Sequence, residues 1–582
     1  MRRQRLSARE AARLIEDLVS EEEEDEHEDE LPEDVDGGSD VEMETTNIIQ
    51  PYGDSESDED MSSDEENHGD LIDKNGTKWS RTPPSNIGRR DKANIVNGNI
   101  GPKPSAHKDS VLQTWQLLFT DEILEKILHY SQRKARQLGD IDFEPSLENL
   151  KAFIGICYFR GVNFDTKVPV DDLWANEAHN FYRAAMSKNM FKTWLRILRF
   201  DDASTRAQRK QTDTFAAVRE IWEDFNSLLG AHYDPSEDLV IDEQLVCSRT
   251  RSPHRTFNPS KPGKYGELYR WCADGRHRFF LKGDPLIRKQ RNERTSVHDL
   301  IMNLVSPYLG TGRNVTGDRY FSNVKTASIL LTEHLMTYVG TLMKNKREIP
   351  PALQRKMELY ESDFLFGGPM NKITLCAYAA KQKKIVHMMS SQHHTKAANE
   401  GEKKKPQIIL DYNAVKSGVD SVDQMCKVYS TRFQTRRWTV VHFQNWLDIA
   451  AINTFTLFEM CHPNWSTSRH GRRRAFLKTL SFELTAAHMI NRLRNNRGLQ
   501  RSLTQEIEKF VGAVSPRPGI NLPPGSVLRD VQHQIKRRCS LCKAFGKPTR
   551  ACNLTSMTCQ ICDQDVCGRH SQVVGVICDN CE

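Results

Sequence analysis

The sequence predicts a mixed α/β protein: an α/β layer unit in mid-chain, helical segments on both sides of it, and a small cysteine-rich module near the C-terminal end. Three observations carry this expectation. From Asp109 to about residue 231, apolar residues recur at helical spacing without strand-like alternation. From Asp238 the texture changes to a β-β-β-α-β-α order. Eight of the 14 cysteines lie between Cys539 and Cys581.

Each element follows from its local pattern. Helices are predicted in VLQTWQLLFTDEILEKILHYSQRKARQL, LENLKAFIGICYFRGV, MFKTWLRILRF and FAAVREIWEDFNSLLG. DLVIDEQLV reads as a strand, GKYGELYRWCAD and HRFFLKGDP as a strand pair, TSVHDLIMNLVSPYLG as a helix, and RNVTGD as a short strand leading into YFSNVKTASILLTEHL. Residues 344–405 are a Lys-rich mixture of strand and loop. Helical texture returns over 419–458 and again in RAFLKTLSFELTAAHMINRLRNN, and the Pro-rich SPRPGINLPPG links it to the cysteines.

At 582 residues the chain is several times the length of a ~150-residue domain, so several units are expected. The first hundred or so residues read as disordered: residues 21–73 hold 25 Asp plus Glu and no Lys or Arg. The net charge of +4 therefore hides +27 over residues 74–582. A body this basic seeks polyanions, of which nucleic acid is the commonest. No run approaches the ~18 apolar residues that span a bilayer, so no membrane partner is expected.

Four carboxylates stand where phosphoryl-transfer chemistry would want them. Asp242 ends the apolar run LVI, Asp318 ends the strand NVTG, and Asp420 and Asp423 lie at i and i+3 in SGVDSVDQM, on one face of a helix. Hard Mg²⁺ takes oxygen ligands, and two such ions about 3.5–4 Å apart stabilise the attacking and leaving oxygens of a phosphodiester. Acids on a first strand, a central strand and a late helix are how an RNase H-like fold gathers three of them. Taken singly, each also reads as a strand-end, turn or helix-first-turn acid.

Five motifs in order decide between these readings: IDEQLV (241–246), PSKPGKYG (259–266), VTGDRYFSNV (315–324), KNKREIP (344–350), and DYNAVKSGVDSVDQM followed by TRRWTVVHFQNWLDIAAIN (435–453). Together they resemble the piggyBac-type transposase family. The resemblance implies a DDE/D-type, RNase H-like catalytic domain with an insertion, flanked by a split all-α dimerisation and DNA-binding domain. Its expected organisation is an acidic disordered region (1–105), the leading segment of the helical domain (106–236), the catalytic domain (237–428, insert about 344–410), the trailing segment of the helical domain (429–505), a linker (506–535) and a zinc domain (536–582). It implies metal-dependent cut-and-paste transposition with Asp242, Asp318 and Asp420 holding two Mg²⁺ or Mn²⁺ ions, Asp423 in support, TTAA targets, a homodimer and double-stranded DNA as partner. A nuclear location follows from the substrate, with RHGRRR (469–474) and KRR (536–538) as import signals. The alternative is a domesticated descendant that binds DNA or chromatin without catalysis. Two departures from the family pattern bear on this: Arg319 stands where Asn is usual, and Gly317 where a bulkier residue often completes the strand.

Lys261, Lys264 and Tyr265 follow the first acid, and Arg432, Arg436, Arg437 and Trp438 follow the third. Ammonium and guanidinium groups suit phosphate oxygens and position DNA without reading it. They are expected as DNA contacts.

The cysteines run C539-x2-C542-x16-C559-x2-C562-x4-C567-x2-H570-x7-C578-x2-C581. Eight ligands in paired knuckles suffice for two tetrahedral Zn²⁺ sites. The order favours a cross-brace, with Cys539, Cys542, Cys567 and His570 on one ion and Cys559, Cys562, Cys578 and Cys581 on the other. Sequential pairing is open as well, and Cys552 is left over. The same order resembles the family's C-terminal domain that binds transposon-end DNA.

Overall fold

The computed structural model describes residues 71–84, 95–139, 141–259, 261, 263–287, 295–465, 471–495 and 499–514, with the backbone of 537–538 and 554–555. The chain divides into two units, Met1–Ser515 and Pro516–Glu582.

The larger unit is built on one mixed sheet. Its strands are β1 (Trp79–Ser80), β4 (Asp238–Cys247), β5 (Arg255–Phe257), β6 (Tyr265–Asp274), β7 (Phe279–Pro285), β8 (Asn314–Gly317), β9 (Thr337–Leu342), β10 (Ser362–Gly367), β11 (Ile373–Lys381) and β12 (Lys384–Ser390). A separate two-stranded ladder joins β2 (Gly101–Pro102) to β3 (Tyr233–Asp234). The sheet order is β1-β10-β11-β12-β9-β8-β4-β6-β5, with β7 beside β6. Strand β8 runs parallel to β4 and β9, and the other pairings are antiparallel.

The longer helices are α1 (Asp121–Leu138), α2 (Leu147–Val162), α3 (Lys188–Ile197), α4 (Arg219–Leu229), α5 (Val297–Val305), α6 (Val324–His334), α7 (Gln407–Val415), α8 (Gly418–Val428), α9 (Trp438–Cys461), α10 (Arg472–Arg494) and α11 (Arg501–Val514). Polar caps start several of them: Ser146 and Asn149 form a reciprocal capping box on α2, and Asn323 caps α6. No helix among the described residues is long and apolar enough to cross a membrane.

Period-2 alternation along β4 sorts its side chains between two cores. Leu239 and Ile241 join a core with Val315, Tyr338 and residues of α5 and α6. Val240 and Val246 point the other way, into a core with Trp271, Phe280, Val419, Val422 and the helical layer of α1, α2, α9 and α10. Farther along the sheet, Val339, Phe364 and Phe366 pack on Ile408 and Ile409 of α7. The sheet is thus sandwiched between helices on both faces.

Three features depart from the sequence expectations. Residues 71–84 and 95–105, assigned by composition to a disordered tail, belong to the fold. Trp79 is buried against Gly367, and Asp73 accepts hydrogen bonds from the Asn75 and Thr77 amides and from Trp79 Nε1. Strands β10–β12, expected within an insert, extend the main sheet from β9. The helical run expected over 419–458 breaks between α8 and α9, where Asp448 accepts hydrogen bonds from the Thr431 amide (2.7 Å), Ser430 Oγ and Thr431 Oγ1. In the smaller unit the described backbone forms one antiparallel pair, β13 (Arg537–Arg538) with β14 (Leu554–Thr555). Cys539, Cys542, Cys559, Cys562, Cys567, His570, Cys578 and Cys581 lie outside the described residues.

Candidate active site

Asp242 lies on the face of β4 that carries Val240, Gln244 and Val246, by the alternation that buries those residues. Asp318 follows β8 directly. The residue before it, Gly317, pairs with Ile241, so Asp318 falls beside Asp242. Since Val315 faces the opposite core, Asp318 shares the face of Asp242.

Backbone amides orient both carboxylates. Asp242 Oδ1 accepts from the Glu243 amide at 2.7 Å, and Asp318 Oδ1 from the Tyr320 amide at 2.8 Å and the Phe321 amide at 3.4 Å. Gly317 has a local reason: a Cβ there would stand 2.2 Å from the Tyr338 hydroxyl, which also lies 3.2 Å from Ser322 Oγ. A bulkier residue would push this support away from the Asp318 turn.

The third element is α8. Its apolar residues Val419, Val422 and Cys426 dock on the sheet, which sets Asp420 in the first turn, where the helix dipole favours an acid. Asp423 is tied down separately: its Oδ1 accepts from Gln244 Nε2 at 3.0 Å and its Oδ2 pairs with Lys427 Nζ at 2.6 Å. Gln244 also accepts from Trp271 Nε1 at 2.9 Å and from Asn445 Nδ2 at 3.2 Å, linking β4, β6, α8 and α9 behind the acids.

Burial pushes the Asp242 carboxyl up to about 7, with the charges of Asp318 and Asp420 adding to the rise. Burial raises Asp318 as well, against its amide hydrogen bonds and the nearby Arg319 and Lys261 charges. Glu243 is raised by burial and then by Asp318.

The acids converge without forming a ready three-ligand set. Among the described residues, no group of three His, Cys, Asp or Glu side chains is gathered closely enough to hold a metal ion. A cation stands among the acids: Lys261 Nζ lies 3.9 Å from Asp420 Oδ1, whose side chain is 63% exposed. The donor chemistry nevertheless suits a hard divalent ion. The side-chain donors are all carboxylate oxygens, and the burial that raises the Asp242 carboxyl penalises a charge that a bound cation would stabilise.

The basic and aromatic residues expected at DNA divide into two groups. Arg432 donates to the Cys247 carbonyl, and Arg437 donates to the carbonyls of Leu195 (3.1 Å) and Leu198 at the end of α3. Trp438 packs among Phe215, His254 and His442. Arg432 thus serves a strand-end carbonyl, Arg437 the carbonyls at a helix end that need donors, and Trp438 an aromatic cluster. Tyr265 lies against Phe257, with the Arg255 guanidinium over its ring. Lys264 and Arg436 are exposed, and Arg319 is exposed beside Asp318.

Sequence reasoning missed Gln244, Lys427 and Tyr412 of α7, on which the charges of Asp318, Asp242 and Asp420 bear. Gln244 and Tyr412 stand inside the motifs IDEQLV and DYNAVKSGVDSVDQM, and Lys427 is signalled by its i,i+4 spacing from Asp423.

The family model described as Transposase IS4 matches residues 111–455. The structure is similar to the cryo-EM structure of a piggyBac transposase synaptic complex with hairpin DNA, with a TM-score of 0.67 and 28% sequence identity. That likeness covers 83% of this chain and 100% of the other.

Proposed function

The chain belongs to the piggyBac-type transposase family, and on that premise we propose that it is a cut-and-paste DNA transposase, cleaving phosphodiester bonds at transposon ends and joining those ends to TTAA target DNA. The observation that carries this reading is the placement of Asp242 and Asp318 side by side on one sheet face, with Asp420 of α8 bearing on Asp242.

In this reading β4, β8 and their neighbours form an RNase H-like catalytic domain, and the helices before and after it form one split domain for dimerisation and DNA binding. Asp242, Asp318 and Asp420 would hold Mg²⁺ or Mn²⁺. Bound there, two such ions stabilise the attacking and leaving oxygens of an in-line displacement. The chain's own residues do the positioning: the Glu243, Tyr320 and Phe321 amides fix two carboxylates, and Asp423 fastens α8 to Gln244. Exposed Arg319, Lys264 and Arg436 suit phosphates of double-stranded DNA. The eight C-terminal Cys and His ligands would hold two structural Zn²⁺ ions, giving a stoichiometry of two zinc ions per chain by elemental analysis. The DNA substrate implies a nuclear location.

The decisive experiment is strand cleavage of transposon-end DNA in Mg²⁺ or Mn²⁺. Asp242→Asn, Asp318→Asn and Asp420→Asn each keep the shape of the side chain and remove the charge, so cleavage is lost while DNA binding persists. One observation favours the second reading, DNA binding without catalysis: two cations, Lys261 and Arg319, flank the acids. Wild-type protein that binds candidate ends tightly and cuts none in either metal decides for it.

A further inference from the structure

Lys261 belongs to the turn joining β5 to β6, and three backbone hydrogen bonds shape that turn. The Asn258 amide donates to the Lys264 carbonyl (2.7 Å), the Lys261 amide to Asn258 (3.2 Å) and the Lys264 amide to Lys261 (3.0 Å). Lys264 adopts a left-handed φ of 53°, and Gly263 lies so close to β4 that a Cβ would stand 2.0 Å from Cys247 Sγ. The turn presents its two lysines differently: Lys264 is exposed, whereas Lys261 is turned inward with its side chain 29% exposed.

The inward ammonium has defined partners. It donates to the Glu243 main-chain carbonyl at 3.1 Å and stands 3.9 Å from Asp420 Oδ1. Its charge also bears favourably on Asp242, Glu243 and Asp318. Lys261 thus faces acids contributed by β4, by the turn after β8 and by α8. A lysine placed for a DNA phosphate would instead leave its ammonium in solvent, as an exposed side chain does.

We propose that Lys261 is the internal counter-cation of the carboxylate centre, a positioning residue that holds Asp420 toward Asp242 and Asp318 in the metal-free protein and gives way when a divalent cation binds. This rests on the transposase reading of those acids. One primary ammonium cannot bridge three carboxylates as a divalent ion does, but it lowers their mutual repulsion while no metal is present. The arrangement sets a threshold for metal entry, because each incoming cation must overcome the repulsion of the lysine.

The test is Mn²⁺ titration of the full-length protein, followed by the magnetic resonance signal of free Mn²⁺, with Lys261→Met, Lys261→Arg and Asp242→Asn alongside the wild type. Lys261→Met is expected to bind Mn²⁺ about tenfold more tightly, and to lower the half-saturating Mn²⁺ for cleavage by a similar factor. Lys261→Arg, which keeps the charge, is expected to stay near the wild-type affinity. Thermal melting in chelator checks that each variant is folded, with Lys261→Gln standing in for Lys261→Met if that variant is not. Mn²⁺ affinity unchanged or weakened in the neutral variant, while Asp242→Asn abolishes binding, overturns the counter-cation alone. Mn²⁺ binding indifferent to Asp242→Asn overturns the metal reading of the acids, and the counter-cation with it.

Discussion

Asp242 and Asp318 stand one residue beyond Ile241 and Gly317, the last register pair of the parallel strands β4 and β8. Neighbouring strands lie about 4.8 Å apart, so two acids in register on one face start from adjacent backbone positions. Sheet geometry makes this pair, whereas Asp420 arrives on a helix that must be docked and held. The difference between a built-in pair and a docked third acid organises the consequences below.

Asp423→Asn should weaken cleavage without abolishing it. Asp423 anchors α8 through Gln244 and Lys427, so the amide keeps one hydrogen bond and loses the ion pair. A drop of about tenfold in rate, near 1.4 kcal/mol, is the expected outcome, against complete loss for Asp242→Asn. Single-turnover cleavage rates distinguish the two. A loss as complete as that of Asp242→Asn would place Asp423 among the reacting groups.

A second acid gives a pH signature away from the site. Glu267, buried on β6, lies 3.7 Å from His442 Nε2, and burial pushes its carboxyl up to about 7. Burial lowers the His442 imidazole to about 3, so the pair is a neutral acid beside a neutral ring near pH 5. The unfolded chain ionises Glu267 near 4.3, so its stabilising contribution is fully present below that pH and is lost as pH rises through 7. Glu267→Gln should remove this decline: urea unfolding should show the wild type losing a few kcal/mol relative to the variant between pH 4 and 8. Parallel stability profiles would refute the assignment.

Trp79 and Gly367 make a matched pair at the sheet edge. A Cβ on Gly367 would come within 2.7 Å of the indole, so Gly367→Ala should cost about 1–3 kcal/mol by overpacking. With Trp79→Ala already in place only the Lys78 carbonyl, 3.0 Å from the added Cβ, still crowds it, so the added cost of Gly367→Ala should shrink. A double-mutant cycle in urea measures this directly, and additive costs would show that the indole does not hold the 71–84 segment on β10.

Much of this architecture is legible in the sequence, and the exceptions share a cause. The strand at 238–247 is visible in its apolar run, and the order of Asp242, Asp318 and Asp420 in their motifs. Trp79 is hidden because a window dominated by acids averages away one aromatic residue, yet that single ring buries enough surface to fix its segment. The break between α8 and α9 is set by Asp448, 17 residues downstream of Thr431, a distance at which local periodicity is silent. Lys261 and Lys264 look alike in sequence, since only the turn decides which ammonium faces in. The cysteine pattern lies outside the described residues, and its zinc assignment rests on ligand spacing.

Arg436 and Arg437 are adjacent in sequence and should fail in opposite ways. Arg437 spends its guanidinium on the carbonyls of Leu195 and Leu198, closing α3 and joining it to the start of α9. Removing it takes the charged donor from the Leu195 carbonyl and leaves Leu198 with Arg199 Nη1 at 2.9 Å, so Arg437→Ala should cost about 1–3 kcal/mol in urea unfolding. Its effect on DNA should follow from that loss and shrink in conditions where the variant is fully folded. Arg436 is exposed, so Arg436→Ala should change stability by less than about 0.5 kcal/mol. If Arg436 meets a phosphate, its loss should weaken binding across DNA sequences alike and reduce the salt slope of log K by about one. Salt titration of DNA affinity beside urea unfolding, on both variants, separates the two roles. A stable Arg437→Ala with a reduced salt slope would return that residue to the DNA interface.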